Sequence, residues 1–105
     1  MSAASNYLEN RILDHTLGTT SYTMPTTIYL ALFTSNPGET GSGTEVSGSG
    51  YARQAVTFGA ASGGSALNNS TETFTASGGN FGTVSYFALF DALTSGNMLY
   101  YGPIS

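Results

Sequence analysis

Hydrophobic and polar residues follow two different periods along this chain, and the change comes at Pro25. Before it, Leu8, Ile12 and either Leu13 or His15 recur at helical spacing, and Tyr7 and Leu17 extend the stripe. The pattern predicts a helix over residues 5–17. Ser2 or Ser5 can cap it, Glu9 sits near the positive end of its dipole, and His15 lies in the last turn. Gly18 is a natural stop, and residues 19–24 then form an extended connector.

Beyond Pro25 the period is two. Residues 26–34 alternate Ile28, Leu30 and Leu32 against Tyr29, Ala31 and Phe33. Both sets are apolar, which predicts a strand covered on both sides. Residues 51–58 set Tyr51, Arg53, Ala55 and Thr57 against Ala52, Gln54, Val56 and Phe58. A short strand is expected over 70–75 from its alternating threonines. The strongest apolar run, 83–93, opposes Val84, Tyr86, Ala88 and Phe90 to Phe87 and Leu89, and Val, Tyr and Phe favour strand there over helix. A last strand covers 98–101, ahead of Gly102-Pro103. Turns are marked by Asn36-Pro37-Gly38, Gly78-Gly79-Asn80 and Ser95-Gly96-Asn97. The expected fold is mainly β: a small β-sandwich or barrel of about five strands, preceded by one N-terminal α-helix.

With 105 residues there is room for a single domain, 1–105. It divides into a helix within 1–18 and a β-module over 26–105, with Gly/Ser-rich loops at 38–50 and 59–69. Val46 is the only aliphatic anchor of the first loop, whose composition is that of a flexible one.

Charge changes the picture more than length does. Only 8% of residues are charged, against about 25% in ordinary domains. A surface so poor in charge has few groups to desolvate on contact and suits packing against other protein. The only cations are Arg11 and Arg53, which argues against nucleic acid as a partner, and a formal net charge of -4 argues against anionic membranes. No basic start with an apolar run resembles a signal peptide, and no apolar stretch reaches the roughly 18 residues of a membrane span.

Catalytic chemistry has little to work with. There is no cysteine, and His15 is the only histidine. Adjacent helical residues point about 100° apart, so Asp14 does not orient His15. The Gly-rich stretch before Tyr51 leads into a strand and contains no Lys, unlike a phosphate loop. The scattered carboxylates Glu39, Glu45, Glu72 and Asp91 lack calcium-loop spacing. The expectation is therefore a protein with no enzymatic activity, cofactor or metal. Arg53 lies in an apolar strand where burial without a partner is costly, so Glu45 is expected to pair with it as a structural ion pair. Tyr7, Leu8, Arg11, Ile12, Val46, Tyr100 and Tyr101 are the candidate interface residues, from the helix, the long loop and the last strand. Tyr100 and Tyr101 are strand neighbours pointing to opposite faces, so one of them is expected at a contact or in solvent.

Three blocks of residues carry a likeness. They are Asn6-Tyr7-Leu8-Glu9-Asn10 with Leu13-Asp14-His15 and Leu17-Gly18; Tyr22-Thr23-Met24-Pro25 with Ile28 to Thr34; and Gly43-Thr44-Glu45-Val46-Ser47 leading to Gly50-Tyr51-Ala52-Arg53-Gln54. Together with Phe81-Gly82-Thr83-Val84, Phe90-Asp91-Ala92 and Gly96 to Tyr100, they resemble a family of small bacteriophage virion structural proteins, often labelled tail-fibre proteins and, in some phages, head decoration proteins. The resemblance spans nearly the whole chain. It implies a virion protein assembled in the host cytoplasm, whose partners are the major capsid protein or tail proteins and further copies of itself, a homotrimer being favoured. The leading expectation is a capsid decoration (cement) protein. A tail or tail-fibre adaptor component is the alternative, and a carbohydrate-binding module, from exposed tyrosines and the Asn-rich loop, is a third. Relatives often run on past the equivalent of Gly102-Pro103 with another strand or two, and the resemblance then implies an open sheet edge here for a neighbouring subunit to complete.

Overall fold

A computed structural model describes residues 3–69 and 71–104. Its elements are β1 (Ala3–Ala4), α1 (Asn6–Thr16), β2 (Ile28–Phe33), β3 (Gln54–Val56), β4 (Tyr86–Phe90) and β5 (Met98–Pro103). The strands form one antiparallel sheet in the order β1-β5-β4-β2-β3. The mainly β architecture with a single N-terminal helix is as the pattern predicts, and the five strands lie in one layer.

Register explains the core. Ala31 pairs with Ala88, with Phe33 opposite Tyr86 and Tyr29 opposite Phe90. The two alanines are fully buried and leave the space above them to Phe33 and Phe90, whose rings lie nearly parallel with centroids 6.2 Å apart. Met98, Tyr86 and Tyr101 complete this cluster. The cover is loop: Pro37 is fully buried, Gly41 lies against Met98, and the Arg53 guanidinium sits over the Phe90 ring.

The opposite face has no such cover. Ile28, Leu30, Leu32, Phe87 and Leu89 are each only half-buried. The expectation that β2 is covered on both sides is thus corrected within one chain, because on this face loop residues only flank the strands while on the other they close over them.

The helix keeps its expected ends but not its expected burial. Ser5 is the N-cap: its hydroxyl accepts the Leu8 N–H at 3.2 Å and donates to the Met98 carbonyl. Its own N–H donates to the Leu99 carbonyl, so one buried serine ties the helix start to β5. Leu8 is the helix's only buried residue, and Ile12, Leu13 and Leu17 are exposed. The alternative cap, Ser2, lies outside the described residues.

Two further differences follow from pairing. The expected strand over 70–75 is absent among its described residues, 71–75; Phe74 instead stacks on Tyr51. Threonine-rich alternation supplies β-propensity but not a free ladder partner. β1 is the unexpected strand, pairing Ala3 with Tyr101 and Ala4 with Tyr100. The edge expected to lie open beside β5 therefore carries β1 along those residues.

Candidate functional site

The long loop before β3 does not wander. Thr34 N–H donates to the Thr44 carbonyl and Val46 N–H to the Leu32 carbonyl, both at 2.9 Å, so residues 44–46 run along the same edge of β2 that β3 occupies lower down. Flexibility inferred from composition is corrected here by backbone pairing and by the buried Val46 side chain. Between the two edge segments one backbone donor is left over, the Leu32 N–H. The Tyr51 hydroxyl accepts it at 3.0 Å and donates in turn to Glu45 Oε2 at 2.6 Å.

Glu45 also receives Arg53. Nε donates to Oε2 and Nη2 to Oε1, each at 2.9 Å, in the planar two-pronged geometry that favours arginine over lysine. Nη1 donates to the carbonyls of Ala92 and Ser95 at 2.9 and 2.8 Å, and the guanidinium carbon lies 3.7 Å from the Phe90 ring centroid. Burial by itself pushes the Glu45 carboxyl up, but the hydrogen bonds from Arg53 and Tyr51 outweigh it and hold the group below its ordinary range. Burial, then the Glu45 contact, pushes the Tyr51 hydroxyl far up, so it remains a donor. The structure thus brings Glu45 and Arg53 together, and adds Tyr51, which spacing alone did not single out. A tyrosine two residues before a strand arginine shares its face, and that was the available signal.

Three further polar contacts fasten the chain to itself. The Tyr101 hydroxyl donates to Glu39, whose carbonyl accepts the Asn6 N–H. Asp91 accepts from the Asn97 backbone and side chain. His15 Nδ1 accepts the Tyr22 N–H at 3.1 Å, fastening the connector to the helix end. No group of three or more His, Cys, Asp or Glu is placed to hold a metal among the described residues.

The candidate interface residues separate into two groups. Leu8 and Val46 are 5% and 4% exposed, which corrects their assignment to an outer surface: both fill the protomer's own interior. Tyr7 and Arg11 form a cation–π pair with 5.2 Å between the guanidinium carbon and the ring centroid, beside exposed Ile12. Tyr100 is 39% exposed on the open sheet face, while Tyr101 points to the covered one.

The open face is concave. Ile28, Leu30, Val56, Phe87, Leu89 and Leu99 form the floor of a groove of about 710 Å³. Its wall is an irregular hairpin over residues 57–69, held by Asn69 N–H to the Thr57 carbonyl and Gly59 N–H to the Leu67 carbonyl. The hairpin turns at Gly63-Gly64, where φ of +60° and +80° gives the left-handed pair of a type I′ turn. Sequence periodicity placed a loop at 59–69 but gave no sign that it stands beside the sheet.

No curated protein matches the chain. A protein-family model described as podophage GP4 fiber I protein gp80 matches residues 3–105. With its structure-holding residues, from the Ser5 cap to the Glu45–Tyr51–Arg53 network, all within that match, the chain belongs to this family of small phage virion structural proteins.

Proposed function

We propose that the chain is a non-catalytic fibre component of the phage particle, assembled in the host cytoplasm and acting through contacts with other virion proteins and further copies of itself. The observation that supports this is the division of its surface. Glu39, Glu45, Arg53 and Asp91 are spent on internal fastening, while two apolar surfaces stay uncovered: the sheet groove, and the helix stripe of Ile12, Leu13 and Leu17. Monomeric soluble proteins seldom leave contiguous apolar patches of this kind unless they bind something. The family's fibre label favours the tail as the location.

The second reading is head decoration, a cement protein packed between major capsid protein subunits. Low charge favours it, since contacts repeated at many capsomers then require little desolvation. Peptide quantification in purified virions distinguishes the two. A fibre component is present in proportion to the tail proteins, and a cement protein in proportion to the major capsid protein. Absence from purified particles contradicts both.

A further inference from the structure

We propose that the open sheet face, walled by the 57–69 hairpin, is covered in the working protein by a second copy of this chain, whose equivalent face supplies the missing layer. The inference specifies the self-association in the proposed function and rests on that reading.

Three observations converge. The first is the strand pattern: apolar runs on both faces of β2 and β4 are the signature of strands buried on two sides, yet the protomer covers one. A sheet with two apolar faces needs a layer on each. The second is area. The protomer exposes 6539 Å², whereas a compact monomer of 10.8 kDa exposes about 5,500 Å². The excess, roughly 1,000 Å², is of the size that one partner buries in a stable interface, about 800 Å². The radius of gyration tells the same story, at 14.4 Å against about 13 Å for a compact chain of this length.

The third is charge. A net charge of -4 on every copy opposes self-association unless the contact lies away from it. The groove lining contains no charged residue, and neither does the 57–69 hairpin. Two identical faces therefore meet without bringing like charges together. Leu67, 77% exposed at the hairpin, is the most exposed large hydrophobic side chain of the groove lining.

The test uses the full chain. Sedimentation at increasing concentration is expected to show an oligomer that Leu30→Gln/Leu89→Gln weakens by about tenfold or more. Circular dichroism reports whether that variant is folded. As a second probe, a lone thiol is introduced at Leu67→Cys or, as a control in the exposed loop on the covered face, at Thr40→Cys, the chain having no cysteine of its own. Labelling at position 67 should slow as the oligomer forms, and labelling at 40 should not. A monomer at all concentrations, an oligomer indifferent to the groove substitutions, equal labelling at both sites, or a monomer that takes up glycans through this face overturns the proposal. A monomer still incorporated into virions sinks this inference alone; an oligomer absent from virions sinks the proposed function alone.

Discussion

Removing the Arg53 side chain leaves Glu45 without its main partner and opens the space above Phe90. Arg53→Ala is expected to cost about 3 kcal/mol, the lower end for breaking a buried pair, read as a shift in denaturant midpoint at constant slope. Arg53→Lys should recover little of it, since an ammonium cannot make both Glu45 bonds and reach Ala92 and Ser95 as well. Tyr51→Phe removes the acceptor for the Leu32 N–H and should cost about 1–2 kcal/mol. Acid acts on the same network. Because the folded state holds the Glu45 carboxyl below its ordinary value of 4.5, its contribution is complete above that value and is lost as pH falls through the lower folded-state one. The melting temperature should drop over that range, and Glu45→Gln should flatten the drop while lowering stability at neutral pH. At this scale the sequence was informative: an arginine in an apolar strand demands a carboxylate, and Glu45 stood close by. Tyr51 was less legible because its role depends on a gap between two edge segments, which no local pattern reveals.

Among the elements, α1 is fastened at one end. Ser5→Ala deletes the cap to Leu8 and the bond to Met98 together, and about 1–2 kcal/mol of stability should go with them. The loop carrying Glu45 has its own fixed point at Gly43, where an added Cβ would lie 2.5 Å from the Asn36 carbonyl oxygen and 2.9 Å from Pro37 Cα. Backbone on the far side cannot yield as a side chain can. Gly43→Ala is therefore expected to destabilise by about 1–3 kcal/mol and to loosen Val46 and Glu45, seen as faster amide exchange at residues 44–46. Periodicity located β2, β4 and β5 and the phase of every side chain on β2 and β4, since alternation is a local property. It failed where pairing decides. The threonines of 71–75 lacked a ladder partner, and two alanines before the helix found one on β5.

For the molecule as a whole, the sequence pointed to a central strand covered on both sides, and the protomer supplies one sheet with a loop cover on a single face. The discrepancy has a physical meaning. Hydrophobic runs record every surface that is buried in the working state, including those that only assembly buries, and one chain shows only its own share. Family membership and the uncovered apolar surfaces lead to the same place, a protein that works by being built into a particle. Imaging settles whether it does. Electron microscopy of purified phage, with the protein carrying a compact label, should show density on the fibres in fixed register with the tail. Particles that are fully infectious and carry no label would contradict the account.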